Sequence, residues 1–235
     1  MKKYYYDEHE DTYQKMKTGN ISAWDEFHDP TSYSFDNSFL EKAFSIININ
    51  ESGLEAFEYG CGTGAGACYL AKRGFTVDAV DISPTAIEMA NEIARSKGLV
   101  INFRVQDLLG LSKLDKKYDL ILDNYCLQSI VTDEDRKKLF SIVSSSLKDT
   151  GYYIVASAIY NEIRSYKNSY YDSDSGIAYD KVQDPERYGT AASLIKGEWW
   201  LPHRRHLKKD ALREELQTAG FKVIFHEDGN LILKI

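Results

Sequence analysis

The sequence contains little cysteine and no long apolar segment. Its three cysteines, Cys61, Cys68 and Cys126, show no C-x-x-C spacing, which argues against a disulfide framework and against a zinc site. We therefore expect reduced thiols, a cytoplasmic location and no bound metal. No apolar run approaches the ~18 residues that a membrane-spanning helix needs. The N-terminal residues also lack the apolar segment of a secretory signal.

The sequence also lacks the basic charge that binding to duplex nucleic acid requires. Its formal net charge is −7, so we expect no nucleic-acid partner. A length of 235 residues with 43% hydrophobic residues is typical of one globular domain with one substantial core. The composition is compatible with a homodimer, but it does not specify the oligomeric state.

Apolar segments alternate along the chain with segments of helical periodicity, which is the pattern of β-α-β crossovers. The predicted strands are residues 54–59, 75–83, 100–108, 118–127 and 151–159, and the predicted helices are residues 37–47, 64–74, 84–98, 133–147 and 208–220. Residues 221–235 predict a hairpin through the turn Asp228-Gly229. The sequence thus predicts an α/β fold with a doubly wound, mostly parallel seven-stranded sheet that ends in an antiparallel hairpin strand.

Two tyrosine-rich regions, residues 1–48 and 160–206, interrupt this alternation. We expect the first to form an N-terminal helical cap. The second, inserted after the fifth strand, is expected to form a helical or loop lid. Both belong to a single domain of residues 1–235, and both are expected to cover a substrate pocket.

A glycine-rich turn follows the first predicted strand and opens the next helix. It reads Glu58-Tyr59-Gly60-Cys61-Gly62-Thr63-Gly64, and the second strand ends seventeen residues later at Asp81. Glycine permits positive φ and close approach of a ligand to the backbone, and the helix N-terminus supplies free N–H groups. A carboxylate at the neighbouring strand end can accept hydrogen bonds from ribose hydroxyls. The pattern therefore predicts a nucleoside site.

The E-x-G-x-G-x-G form of this turn resembles the first motif of the class I S-adenosylmethionine-dependent methyltransferases. The resemblance extends from about Leu54 to the C-terminus, and it implies that S-adenosyl-L-methionine is the cofactor and S-adenosyl-L-homocysteine the product. The cofactor-binding residues that it implies are Glu58, Gly60, Cys61, Gly62, Gly64, Asp81, Ile82, Asp107, Leu108, Asp123 and Asn124. For Glu58, capping of loop amides is an equally good interpretation.

The sequence identifies the residues that would bind the methyl acceptor less clearly than those that would bind the cofactor. Many small-molecule members of the family have a histidine after strand 4, where this chain has Gln128. A general base would then come from elsewhere, and the candidates are His203, His206 and Tyr125. Arg204 and Arg205 are candidates to bind a carboxylate or phosphate on the acceptor. The other residues predicted to line the substrate pocket are Gln128, Tyr160 and Trp200.

These residues predict a methyl transfer to an oxygen, nitrogen or sulfur atom of a small molecule by in-line displacement. Three alternatives stay open. The first is a methyltransferase that acts on RNA or protein, and the second is a relative that binds the cofactor without turnover. The third is a nicotinamide-dependent oxidoreductase, because Gly60, Gly62 and Ala65 also satisfy the dinucleotide pattern.

Overall fold

The computed structural model of the protein describes residues 5–21, 37–47, 49, 53–162 and 169–235. The rest of the predicted cap at 1–48 and of the predicted lid at 160–206 lies outside these ranges. Within them, every helix is too short or too polar to cross a bilayer.

The described residues form eleven strands and six α-helices. The strands are β1 (Glu55–Tyr59), β2 (Thr76–Asp81), β3 (Asn102–Val105), β4 (Tyr118–Asn124), β5 (Leu147–Ala156), β6 (Ser169–Asp172), β7 (Ile177–Lys181), β8 (Ser193–Ile195), β9 (Glu198–Arg205), β10 (Lys222–Glu227) and β11 (Asn230–Lys234). The helices are α1 (Tyr5–Thr18), α2 (Ser38–Ile46), α3 (Ala65–Lys72), α4 (Pro84–Ser96), α5 (Asp133–Ser146) and α6 (Lys209–Thr218).

Seven of these strands form the central sheet, in the order β10-β11-β5-β4-β1-β2-β3. The pairs β1–β2, β1–β4, β2–β3 and β4–β5 are parallel, whereas β11 is antiparallel to both β5 and β10. The strand order reverses beside β1, where the crossovers to β2 and to β4 leave in opposite directions. Such a switch point opens a crevice at the carboxyl ends of the strands. The predicted doubly wound sheet with one antiparallel strand is confirmed.

Side chains that alternate along the central strands are buried on opposite faces of the sheet. Phe57 and Ile121 belong to one core cluster, which also contains buried residues of α5 and α6. Ala56 and Leu120 belong to the other, which contains buried residues of α2 and α3. Burial on both faces explains why the centres of these strands are apolar, at Ala56-Phe57 in β1 and Leu120-Ile121-Leu122 in β4.

The segment predicted to form a helical or loop lid instead contains a second sheet, with strand order β6-β7-β9-β8 and antiparallel pairing throughout. Tyr170 lies directly opposite Tyr179, and Trp200 packs on Tyr170 with 5.9 Å between ring centroids. Aromatic pairs across strands stabilise a sheet. Lys196 and Gly197, both at positive φ, form the two-residue turn between β8 and β9.

Helix α1 packs across the start of α4. Tyr13 and Met16 of α1 are buried against Met89 of α4, and the Glu10 carboxylate accepts a hydrogen bond of 2.6 Å from the Ser83 hydroxyl. Because Ser83 follows directly on β2, the N-terminal helix lies at the carboxyl end of the central sheet.

The turn from β1 into α3 depends on glycine. Gly60, Gly62 and Gly64 have φ values of 58°, 52° and 81°, a region in which side chains with a Cβ atom are strained. At Gly60 a Cβ atom would also collide with the Cys126 Sγ. The turn therefore lies against the loop that follows β4, and only glycine permits that approach.

We expect Gly60→Ala to destabilise the protein far more than Gly98→Ala. Gly98 has a similar φ of 66°, but no atom lies within 4 Å of the position that a Cβ atom would take. The stability loss of Gly98→Ala therefore measures backbone strain alone, which is about 1 kcal/mol. The collision with Cys126 should cost at least about 2 kcal/mol more. Urea unfolding of both variants measures the difference, and equal losses would contradict the predicted collision.

Candidate active site

Asp81 connects the glycine turn to the end of β2. Its carboxylate is buried, and it accepts hydrogen bonds of 2.9 Å from the backbone N–H of Gly62 and of Ser83, one on each oxygen. Burial raises the pKa of Asp81 to about 6, although the bonds from these amides and from Ile82 lower it. Each oxygen keeps a further lone pair, so the carboxylate that holds the turn can also accept hydrogen bonds from a ligand.

Glu58, in β1, is a second buried carboxylate at the carboxyl edge of the central sheet. It is 1% exposed, and it accepts a hydrogen bond from the backbone N–H of Ala67. Its Oε2 atom has no hydrogen-bond partner within the described ranges. Burial, together with the nearby charges of Asp123 and Asp81, raises the pKa of Glu58 to about 8. A buried oxygen without a partner indicates a place where a polar ligand group can bind.

The N-terminus of α3 lies beside these carboxylates. Its N-cap residue is Gly64, which offers no side chain to bond the first amides of the helix. Free N–H groups at a helix N-terminus attract negatively charged or polar ligand groups. The edge thus combines helix amides with two carboxylates, and it can hold a ligand that has both acceptor groups and donor or cationic groups.

The predicted residues after β3 divide between the site and the core. Asp107 caps a short 3-10 turn through its Oδ1 atom, which accepts from the Leu109 N–H at 2.9 Å. Its Oδ2 atom accepts a hydrogen bond of 2.6 Å from the Tyr6 hydroxyl of α1. Leu108 is buried in the core cluster on the α5 face of the sheet, while Ile82 is half-buried at the end of β2.

Asp123, at the end of β4, has its hydrogen bonds inside the protein. It has no exposed surface, and it accepts from the Tyr59 hydroxyl and from the N–H groups of Cys126 and Leu127. Burial raises its pKa to about 6. In this structure its carboxylate fixes the loop after β4.

The residues that follow Asp123 lie nearer the solvent. Asn124 is half-buried. Tyr125 has a φ of 65° and is 53% exposed, and its N–H donates to the carbonyl oxygen of Ala156 at 2.7 Å. A positive φ is uncommon for a residue with a Cβ atom and often marks a functional loop.

Gln128 joins this loop to the segment that follows β5. Its Oε1 atom accepts a hydrogen bond of 2.8 Å from the N–H of Ala158. Tyr160 follows on that segment, and its ring stacks on Tyr171 with 5.0 Å between centroids. Both residues therefore lie between the loop after β4 and the second sheet.

Three other candidates connect the second sheet to its surroundings. Arg205 donates from Nη1 to Asp133 at 2.5 Å and to the carbonyl of Val131 at 3.2 Å. The His206 ring is buried, and its backbone N–H donates to Gly176. Trp200 donates from Nε1 to a carbonyl of the same sheet, at Ile195. These contacts hold the second sheet together and place it over the loop after β4.

His203 and Arg204 instead face the N-terminal helix. The His203 Nδ1 atom lies 2.9 Å from Glu8 Oε1 and 3.4 Å from Asp180 Oδ2. Arg204 Nη1 lies 3.5 Å from the same oxygen of Glu8. Burial acts to raise the pKa of Glu8, but the hydrogen bond from His203 and the charge of Arg204 lower it to about 2, so Glu8 is ionised at neutral pH.

Three α1 residues that contact predicted site elements were not identified from the sequence: Tyr6, Glu8 and Glu10. Tyr6 and Glu10 are four residues apart and therefore share one helix face. That spacing was visible in the sequence, but it does not identify Asp107 and Ser83 as the partners.

The part of the chain that carries this geometry matches a known family. A family model described as "Methyltransferase domain" matches residues 56–151. A 2-heptyl-1-hydroxyquinolin-4(1H)-one methyltransferase of Mycobacteroides abscessus is 30% identical over 114 residues, which are 47% of this chain and 50% of that protein. The chain thus spans about half the length of this relative.

Two further proteins match over more of the chain. A ubiquinone biosynthesis O-methyltransferase of Rickettsia canadensis is 32% identical over 189 residues, which are 78% of this chain and 69% of that protein. The crystal structure of an S-adenosylmethionine-dependent methyltransferase from Clostridium acetobutylicum has the same fold, with a TM-score of 0.64 at 19% identity, covering 95% of this chain and 99% of that one. The chain belongs to the class I S-adenosylmethionine-dependent methyltransferases.

Proposed function

We propose that the protein transfers the methyl group of S-adenosylmethionine to a small-molecule acceptor by in-line displacement. The observation that carries the proposal is the glycine turn held by Asp81, with the unpartnered Glu58 oxygen and the N-terminus of α3 beside it. This donor and acceptor set suits a ligand with ribose hydroxyls, an ammonium group and a carboxylate. Membership of the methyltransferase family supports the same cofactor.

Each part of the edge has a proposed role in holding the cofactor. Asp81 would accept hydrogen bonds from the ribose hydroxyls, and Ile82 would pack on the adenine. Glu58 would face the cofactor's ammonium group, and Asp107 would lie near the adenine amino group. When bound, S-adenosylmethionine supplies a methyl group that is already activated by the sulfonium charge, so the protein need only align the acceptor and exclude water.

The acceptor is proposed to enter between the loop after β4 and the second sheet. Strand β9 packs against residues 127–129, and its residues His203 and Arg204 contact Glu8 of α1. The cap and the second sheet would thus form the lid over the acceptor. Both relatives described above are named as methyltransferases of small molecules, and one is named as an O-methyltransferase, so hydroxyl acceptors are the first to test.

The cofactor proposal predicts that Asp81→Asn weakens binding of S-adenosylhomocysteine tenfold to hundredfold, since a hydrogen bond to a charged group contributes about 1.5–3 kcal/mol. Asp115→Asn is the matched control, because Asp115 has a side chain that is 98% exposed. Isothermal titration calorimetry measures the affinity of both variants for S-adenosylhomocysteine. Equal affinity in Asp81→Asn, or binding of NAD(H) by the unmodified protein instead, would contradict the proposal.

The raised pKa of Glu58 predicts a pH dependence of stability. Because the pKa is about 8 in the folded state and 4.5 for an exposed glutamate, the folded protein binds more protons than the unfolded chain between these values. The free energy of unfolding of the ligand-free protein should therefore fall as the pH rises from 5 to 8.

Glu58→Gln removes this contribution, so its free energy of unfolding should fall less over the same range, by a few kcal/mol in total at about 1.4 kcal/mol per pH unit at most. Glu134→Gln, at an exposed position on α5, is the control and should keep the slope of the unmodified protein. Urea unfolding at pH 5.5, 7 and 8.5 measures the slopes, and identical slopes in all three proteins would show that Glu58 titrates normally.

A further inference from the structure

Glu8 is held in place by contacts between its helix and the side of the crevice where the cofactor is proposed to bind. Its helix, α1, is attached to the central domain by the Tyr6–Asp107 hydrogen bond, by the bonds of Glu10 to Ser83 and Thr85, and by the packing of its C-terminal half on α4. The first two attachments lie at the ends of β3 and β2. Glu8, between Tyr6 and Glu10 in sequence, is therefore fixed relative to the site proposed for the cofactor.

His203 is held in place by other contacts, which lie on the side where the acceptor is proposed to bind. The neighbouring Arg205 is bonded to Val131 and Asp133, just before and at the start of α5. The Tyr160 N–H donates to the Leu207 carbonyl at 2.9 Å, so the chain that follows β9 is bound to the segment after β5. His203 is therefore held in β9, the strand that packs against residues 127–129 of the loop after β4.

The contact between Glu8 and His203 selects one tautomer of the His203 imidazole ring. An ionised carboxylate only accepts hydrogen bonds, so the 2.9 Å contact between Glu8 Oε1 and His203 Nδ1 requires the proton on Nδ1. Asp180 lies on the same nitrogen at 3.4 Å. In the neutral ring the other nitrogen, Nε2, is then the one with a free lone pair.

We infer that His203 accepts the acceptor's proton on Nε2 and that Glu8 is the positioning residue that fixes this tautomer; the inference rests on the proposed function. As the acceptor oxygen forms its bond to the methyl carbon, the bond from that carbon to sulfur breaks, the hydroxyl proton moves to Nε2, and S-adenosylhomocysteine leaves. The imidazolium that results lies against the negative charge of Glu8. Water then takes the proton.

Other charged groups around the ring are consistent with this assignment. Arg204 adds a positive charge beside Glu8. His9 does not compete for the proton near neutral pH, because burial and the charge of Arg204 lower its pKa to about 4. Glu8 and Asp180 place negative charge beside the Nδ1 atom of His203. The side chain of Gln128 is bonded to the backbone at Ala158 and has no basic atom.

The first test needs no acceptor. Long-range proton–nitrogen NMR spectra of the ¹⁵N-labelled protein, recorded without ligand and again with S-adenosylhomocysteine, identify the protonated nitrogen, and His203→Gln assigns the signal. We expect the proton on Nδ1 in the unmodified protein and in Asp11→Asn, a charge control at an exposed position of α1, and a mixed population in Glu8→Gln. A proton on Nε2 in the unmodified protein would overturn the inference.

The second test uses methyl transfer to catechol and to 2-heptyl-1-hydroxyquinolin-4(1H)-one. At pH 7 we expect Glu8→Gln to lower kcat about tenfold or more and His203→Gln about 100-fold, with KM and the affinity for S-adenosylhomocysteine within about twofold of the unmodified protein. The losses should shrink at high pH, where the acceptor hydroxyl ionises without a base. A loss that is independent of pH would indicate a merely structural role and overturn the inference.

The proposed function and the role of Glu8 fail separately. If the unmodified protein does not bind S-adenosylhomocysteine, or binds it and methylates neither compound, the proposed function or its acceptor class is wrong. The tautomer of His203 still decides whether Glu8 positions the ring. If transfer occurs and Glu8→Gln retains the full rate at pH 7, the proposed function stands and the role of Glu8 is overturned.

Discussion

The hydrogen bonds from Gly62 and Ser83 to the buried Asp81 carboxylate are the interaction on which the site depends. They join the turn after β1 to the end of β2, so that the N-terminus of α3 and the two buried carboxylates open into one crevice. The positive φ of Gly60 and its close contact with Cys126 bring the loop after β4 to the same place. The local geometry of a few residues thus assembles three strand ends into one site.

Helix α1 extends this crevice into a closed arrangement. Within five residues, Tyr6, Glu8 and Glu10 contact the end of β3, the second sheet and the end of β2. One short helix therefore contacts both the proposed cofactor side and the proposed acceptor side.

The sequence predicted the central sheet because its inner strands have apolar centres, such as Leu120-Ile121-Leu122 in β4, and its helices have clear start signals, such as Ser83 followed by Pro84. The fixed spacing from Gly64 to Asp81 likewise identified the turn and its carboxylate. The partners of Glu8 and Glu10 were not predictable, because each is an ordinary charge on a surface helix whose partner lies about 70 to 200 residues away. The second sheet was missed because its strands are short and polar and its turn, Lys196-Gly197, is a weak signal.

The most direct measurement is a crystal structure of the protein with S-adenosylhomocysteine. The account predicts that the ribose hydroxyls bond the Asp81 carboxylate, that the amino group lies at the Glu58 edge, and that the sulfur points toward the loop after β4 beneath β9. Ligand density elsewhere, or a crevice that remains filled by protein side chains at saturating ligand, would contradict it.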